Sequence, residues 1–168
     1  FSLPLRSAAM ALFVALLFVP VHAQVDDCNG TRYRYTSAFE NFNVSYDVEY
    51  GNAINTTGLN QSLVVDIYEP EGDVHESRPL IIMGHGGFFI GGDNAGVDVV
   101  PLCEDLAKMG YVVASMSYRV GVDNFLDVSN ALVRSVWRAY HDGKAAVRFF
   151  RKTVEEGGNP WGVNTDHI

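Results

Sequence analysis

The chain of 168 residues has little of what marks several protein classes. It has no basic cluster, and 12 Lys and Arg residues stand against 20 Asp and Glu residues, so a nucleic-acid partner is not expected. It also has no sequence repeat and no low-complexity tract. With 48% hydrophobic residues, its length is sufficient for one modest domain with its own core.

Long hydrophobic runs are absent except near the start of the chain, where residues 1–23 have the pattern of a targeting segment. Arg6 precedes an apolar run over residues 8–19, and Ala23 provides a small-residue cleavage site. The run is short for a bilayer span, although an uncleaved membrane anchor is the alternative. We therefore predict a signal peptide, no stable membrane anchor after its cleavage, and a secreted or periplasmic location.

Cysteine is scarce, since Cys28 and Cys103 are the two in the sequence. An oxidising compartment would allow them to form one disulfide between the mature N-terminal segment and a predicted core helix. Spacing does not show that two cysteines are close in space. A buried, unpaired Cys103 that packs as a small apolar residue is the alternative.

Two segments with alternating apolar residues predict half-exposed strands, over residues 43–50 and 62–68. We expect them to pair as an antiparallel hairpin at the edge of a sheet. Each strand has one predicted apolar face, and these faces are Val44, Tyr46, Val48 and Tyr50 in the first strand and Leu63, Val65 and Ile67 in the second.

The rest of the chain alternates strands and helices. Continuous apolar runs predict buried strands over residues 80–83 and 111–116, and a third strand is expected to begin at residues 166–168. Helices are predicted between them, over residues 97–109 and 129–155. This order predicts an α/β protein with a mostly parallel sheet, an antiparallel edge hairpin and crossover helices.

Each predicted helix has an apolar stripe that we expect to face the sheet. The stripe of the first helix is Val99, Leu102, Leu106 and Met109. The stripe of the second helix is Leu132, Val136, Tyr140, Gly143, Val147, Phe150 and Val154.

A glycine-rich turn with the sequence His-Gly-Gly-Phe-Phe follows the strand at residues 80–83. Glycines leave backbone N–H groups uncovered, and converging N–H donors stabilise an oxyanion. A dinucleotide-binding loop would need a glycine at position 89, where this chain has Phe89. A P-loop would need a lysine directly after Gly91, where this chain has Gly92. An oxyanion loop of the HGGG type is the functional interpretation that remains, and a glycine-rich turn without chemistry is the alternative.

Three segments in this order resemble the N-terminal half of a secreted carboxylesterase or lipase of the α/β-hydrolase fold: residues 63–70, 78–88 and 110–119. The helix around residues 138–148 is similar to the family's helix before the nucleophile strand. The resemblance covers residues 43–168. It implies a carboxylic ester hydrolase that forms a serine acyl-enzyme on small-molecule or lipid esters and needs no metal or organic cofactor.

The resemblance implies a role for each residue of the loop. The backbone N–H groups of Gly87 and Phe88 would bind the oxyanion, Gly86 would shape the turn, and His85 would hold the loop through its ring. Phe88 stands where the family has a third glycine. Phe88 and Phe89 would form a wall of the acyl pocket.

Polar residues near the predicted site have two interpretations. Tyr118, Arg119 and Asp142 would brace the loops around the site, as such residues do in the family. The alternative for Asp142 is a surface pair with Arg138 at helical i,i+4 spacing. The sequence leaves both open.

The sequence contains no Gly-x-Ser-x-Gly elbow, which carries the nucleophile in this fold. Ser115 and Ser117 lack the flanking glycines, and His141 lies in the middle of a predicted helix. The resemblance therefore implies that residues 24–168 are the N-terminal part of the domain, inactive alone, with the triad beyond Ile168. A non-catalytic adhesion or binding protein and a peptidase-like hydrolase of the same fold are the alternatives.

Overall fold

The structure is a computed structural model that describes residues 32–33 and 37–168. The predicted signal peptide at residues 1–23 and Cys28 lie outside the described residues, so both remain predictions. The elements, in chain order, are β1 (Phe42–Ile54), β2 (Asn60–Pro70), β3 (Arg78–Gly84), α1 (Val100–Lys108), β4 (Val112–Met116), α2 (Val128–Glu156) and β5 (Val163–Asn164). Within the described residues, no helix is both long enough and apolar enough to cross a bilayer.

The strands form one sheet in the order β1-β2-β4-β3-β5. The predicted hairpin is present, since β1 pairs antiparallel with β2 at the sheet edge. The expectation of a mostly parallel sheet is corrected for the described strands. The sheet is mixed because β2 runs antiparallel to both of its neighbours, whereas β3 runs parallel to β4 and β5.

Two irregularities in β1 correct the predicted face of that strand. The register with β2 shifts between Ser45 and Val48 and again between Glu49 and Gly51. A bulge puts successive side chains out of the simple alternation. As a result, Tyr46 is 69% exposed, whereas Tyr50, at the end of the predicted face, is buried in the core.

Each face of the sheet is covered by one helix. On one face, Ala146 and Phe150 of α2 pack with residues of all five strands, including Val65 and Leu80. On the other face, Cys103 of α1 packs with residues of β2 and β4. All five residues of β4 are buried, as expected for a strand between two helical layers.

The predicted stripes of both helices are partly wrong. In α1, Cys103 and Ala107 are fully buried, whereas Leu102 is half exposed. In the first half of α2, Val136 and Tyr140 are exposed. The buried positions there include Ser135 and Asp142, because both side chains bond to a neighbouring loop.

The third parallel strand begins earlier than predicted. β5 pairs with Arg78 and Pro79 at the start of β3. The chain then stays beside β3, since Leu80 donates a backbone hydrogen bond to His167 at 2.9 Å. His167 therefore still lies beside β3, although the regular strand pairing is confined to β5.

Candidate functional site

The glycine-rich turn lies at the carboxyl end of β3, beside the end of β4, where Gly84 pairs with Met116. Parallel sheets place their binding sites at this end of their strands. The turn is left-handed, with φ of 105° at Gly87, 53° at Phe88 and 62° at Phe89. The amide of Ile90 closes it by donating to the Gly87 carbonyl at 2.9 Å.

Two positions of the turn require glycine for space as well as for conformation. A Cβ at Gly87 would lie 2.2 Å from the carbonyl oxygen of Gly91. A Cβ at Gly92 would lie 2.3 Å from Nδ1 of His85. The loop can therefore fold back onto itself and onto the imidazole only with bare backbone at both positions.

His85 is buried under the loop, with 4% of its surface exposed. Its Nδ1 lies 2.8 Å from the carbonyl oxygen of Gly86. The ring stacks on Tyr118, whose hydroxyl donates to the His85 carbonyl at 2.7 Å. Nε2 has no hydrogen-bond partner among the described residues. The imidazole therefore lies between the loop and the Tyr118 ring, and its role in holding the loop stays a prediction.

The loop amides fall into two groups. The Gly86 N–H donates to Oδ2 of Asp98 at 2.6 Å, and this bond holds the pKa of the Asp98 carboxyl below its usual value. The N–H groups of Gly87 and Phe88 donate to no acceptor among the described residues. The Phe89 N–H likewise has no acceptor among these residues, so three successive donors are open to a ligand.

A cleft of about 370 Å³ lies beside the loop, between the ends of β3 and β4 and the helix α2. Its lining is mostly apolar and includes His85, Phe89, Met116 and Tyr118. Phe88 is 86% exposed and does not line the cleft. Of the two phenylalanines predicted to form the acyl pocket, the structure places Phe89 in this cleft.

Asp142 bonds to the chain just after β4. Its carboxylate accepts hydrogen bonds from the side chain and the backbone N–H of Arg119, with 2.6 Å between Oδ1 and Nη2. Nη1 of Arg119 also donates to the carbonyl of Ile54 in β1. Arg138 pairs instead with Asp123, so the structure favours the bracing interpretation of Asp142 over the surface pair.

Two contacts that hold the loop were not predicted from the sequence. One is Asp98, for which the signal was an acidic residue at the start of the helix after the turn. The other is Gly121, whose N–H donates to the Phe89 carbonyl at 2.8 Å. The Gly121 carbonyl accepts from Ser135 and Arg138 of α2. No sequence pattern marks a contact made by backbone atoms alone.

The remaining candidates do not join the site. Ser115 is fully buried and donates to the carbonyl of Asn94, so it packs in the interior. His141 is exposed on α2. Cys103 is buried, and burial raises the pKa of its thiol to about 11. Its pairing with a cysteine outside the described residues stays a prediction. Among the described residues, no cluster of His, Cys, Asp and Glu could hold a metal ion.

Solved structures with the same fold are esterases and other α/β hydrolases. Thermogutta terrifontis esterase 2, phosphorylated by paraoxon, is 26% identical, with a TM-score of 0.53 over 82% of this chain and 45% of its own. Esterase B from Lactobacillus Rhamnosis is 25% identical, with a TM-score of 0.50 over 77% of this chain and 34% of its own.

A more distant match shows the fold alone. MGS-M1, an α/β hydrolase from a Medee basin deep-sea metagenome, is 16% identical, with a TM-score of 0.50 over 77% of this chain and 46% of its own. The chain thus spans between 34% and 46% of the length of these three structures. No curated protein matches the sequence.

The family model of BD-FAE matches residues 65–158, more than half of the chain. This match begins inside β2 and ends just after α2, so it includes the glycine-rich turn and the residues that brace it. The two esterase structures and the sheet order agree on the fold. The chain belongs to the BD-FAE family and has the α/β-hydrolase fold.

Proposed function

We propose that this chain is part of a carboxylic ester hydrolase that acts through a serine acyl-enzyme. The observation that carries the proposal is the pair of open amides at Gly87 and Phe88, at the carboxyl end of β3. Such donors are matched to the negative charge that develops on a carbonyl oxygen during acyl transfer. The esterase structures that share the fold support the same reaction class.

The nucleophile lies beyond Ile168 in this proposal. The sequence has no Gly-x-Ser-x-Gly elbow, and this fold places the elbow on the strand after the long crossover helix. Here that strand would continue from residues 166–168, beside β3. The serine would then stand next to the open amides, with the acid and the histidine of the triad following in the sequence.

The lining of the cleft beside the loop indicates the chemical class of the proposed substrate. Its lining at Phe89, Met116 and Tyr118 is mostly apolar, which suits the hydrocarbon part of an ester. An uncharged small-molecule or lipid ester is therefore the proposed substrate. The N-terminal sequence supports export, so the proposed site of action is outside the cytoplasm.

The test is hydrolysis of p-nitrophenyl acetate and p-nitrophenyl butyrate by the full-length protein. A p-nitroanilide of the same acyl group is the matched control, because it replaces the ester bond with an amide bond. Ester turnover that paraoxon abolishes supports the proposal. Equal turnover of the anilide would favour a peptidase-like hydrolase, and no turnover, with Gly or Ala at the elbow position, would favour a binding protein.

A further inference from the structure

A carboxylate outside the turn holds the loop in place. Oδ2 of Asp98 accepts the hydrogen bond from the Gly86 amide at 2.6 Å, across 12 positions of sequence. This bond occupies the first amide of the loop. The N–H groups of Gly87 and Phe88 have no acceptor among the described residues, so both remain available to a ligand.

Two glycines make room for this carboxylate. A Cβ at Gly86 would lie 2.8 Å from Oδ2 of Asp98. A Cβ at Gly96 would lie 2.5 Å from Oδ1 of the same side chain. Real Cβ atoms do not approach an oxygen this closely, so a side chain at either position would displace the carboxylate. The contact therefore depends on glycine on both sides.

The backbone on both sides of Asp98 is held by hydrogen bonds and by packing. The carbonyl of Gly96 accepts backbone hydrogen bonds from Val99 at 3.1 Å and Val100 at 3.0 Å. The side chain of Val99 is 2% exposed and packs in the core under α1. Asp98 is thus held just before the first residue of α1, whereas the glycines of the loop have no side chains that could pack.

The charge of Asp98 does not by itself favour an oxyanion, because two negative charges repel. Water screens that repulsion, since the side chain is exposed. A hydrogen bond to an ionised acceptor is shorter and stronger than one between neutral groups. The contribution of Asp98 to the reaction is therefore the geometry that it imposes on the loop.

We infer that Asp98 is a positioning residue, whose bond to the Gly86 amide sets the direction of the Gly87 and Phe88 N–H groups. The inference rests on the proposed function, because it assigns a role within the same oxyanion hole. Asp98 touches no reacting atom, and it acts through the backbone of the loop.

The test compares Asp98→Ala and Asp98→Asn in the full-length protein with p-nitrophenyl butyrate. Removing a whole oxyanion donor lowers kcat by about 100- to 1,000-fold, so misdirected donors should lower it by about 10- to 100-fold. We expect this fall for Asp98→Ala, with KM changed by less than about threefold. In Asp98→Asn the amide oxygen still accepts the bond, so kcat should stay within about threefold of the wild type.

Two controls separate positioning from folding and from charge. Titration of active sites with paraoxon gives kcat per reactive serine, so unfolded molecules do not count. Asp105→Ala removes an exposed carboxylate from α1, the helix that follows Asp98, and it should leave kcat and KM unchanged. A fall in kcat for this control as large as that for Asp98→Ala would overturn the inference.

Gly96→Ala gives an independent test. Its Cβ would push the Asp98 carboxylate from the Gly86 amide, so it should lower kcat as Asp98→Ala does. Added to Asp98→Ala, it should cause little further loss, because the group that it displaces is gone.

Three further results would overturn the inference. They are a wild-type kcat in Asp98→Ala, an equal loss in Asp98→Ala and Asp98→Asn, and fully additive losses in the double variant. An inactive wild-type protein would overturn the proposed function together with this role, and it is recognised before any variant is made.

Discussion

The ring of Tyr118 lies flat on the imidazole of His85, with 4.2 Å between the ring centroids and 7° between their planes. The Tyr118 hydroxyl also donates to the His85 carbonyl at 2.7 Å. The residue at the start of the loop is therefore fixed by its side chain and by its backbone. This double contact joins the end of β4 to the proposed oxyanion hole.

Tyr118→Phe should keep the stacking and lose the hydrogen bond. The buried carbonyl would lose its partner, at a cost of about 1 to 3 kcal/mol in the free energy of unfolding. The loop would also lose a restraint, so kcat for p-nitrophenyl butyrate should fall. Urea denaturation and steady-state kinetics of the full-length protein measure the two effects.

Tyr50→Phe is the matched control for that variant. It removes the same kind of bond, from the Tyr50 hydroxyl to the Ser117 carbonyl at 2.7 Å, without a direct contact to the loop backbone. It should lower stability by a similar amount and leave kcat unchanged. A fall in kcat as large in Tyr50→Phe as in Tyr118→Phe would contradict the role given to the Tyr118 bond.

Asp142→Ala should be strongly destabilising. Asp142 is 2% exposed and neutralises Arg119, so its removal leaves a half-buried guanidinium without a carboxylate. Breaking a buried pair in this way costs about 3 to 5 kcal/mol. Arg134→Ala is the control, because it breaks an exposed pair with Asp123 and should barely move the denaturation midpoint. Equal losses from both variants would contradict the account.

Phe88→Gly and Phe89→Gly should change stability in opposite directions. Both residues have a positive φ, which is strained for a bulky side chain. Phe88 is 86% exposed, so glycine relieves strain there with little packing lost, and stability should rise by up to about 1 kcal/mol. The ring of Phe89 packs against the ring of Tyr118, with 5.8 Å between the centroids, so loss of the Phe89 ring should be destabilising. Thermal unfolding checks both, and a fall for Phe88→Gly would show that its strain is not the larger effect.

Stability should fall in alkaline solution through buried tyrosines. Burial raises the pKa of Tyr68 to about 12, and the Asp66 carboxylate adds to this effect. The unfolded chain then loses its tyrosine protons first, at about pH 10. The contribution is intact below pH 10 and is lost as the pH rises towards 12. In Tyr68→Phe the free energy of unfolding should decline less steeply over this range, and an unchanged slope would contradict the prediction.

The loop and the order of elements were predictable because they depend on local chemistry. A run of apolar residues followed by His85, Gly86 and Gly87 indicates a buried strand that ends in bare backbone. The antiparallel hairpin at the edge followed from alternation alone. These signals need no knowledge of which distant residues meet.

The errors arose where distant contacts decide the outcome. Tyr46 faces solvent because bulges in β1 break the alternation. Leu102 is half exposed because smaller residues of the same helix, Cys103 and Ala107, lie against the sheet. The partner of Asp142 was open between two arginines, since Arg119 is 23 positions away and no spacing rule applies. Only the fold chooses between such partners.

The most direct test of the central claim is a crystal structure of the full-length protein with a phosphonate ester bound covalently. The account predicts that the phosphoryl oxygen lies about 2.7 to 3.1 Å from the backbone nitrogens of both Gly87 and Phe88. It also predicts that the Gly86 amide stays bonded to Asp98. A phosphoryl oxygen held by other donors, with the Gly87 and Phe88 amides facing away from it, would contradict the account.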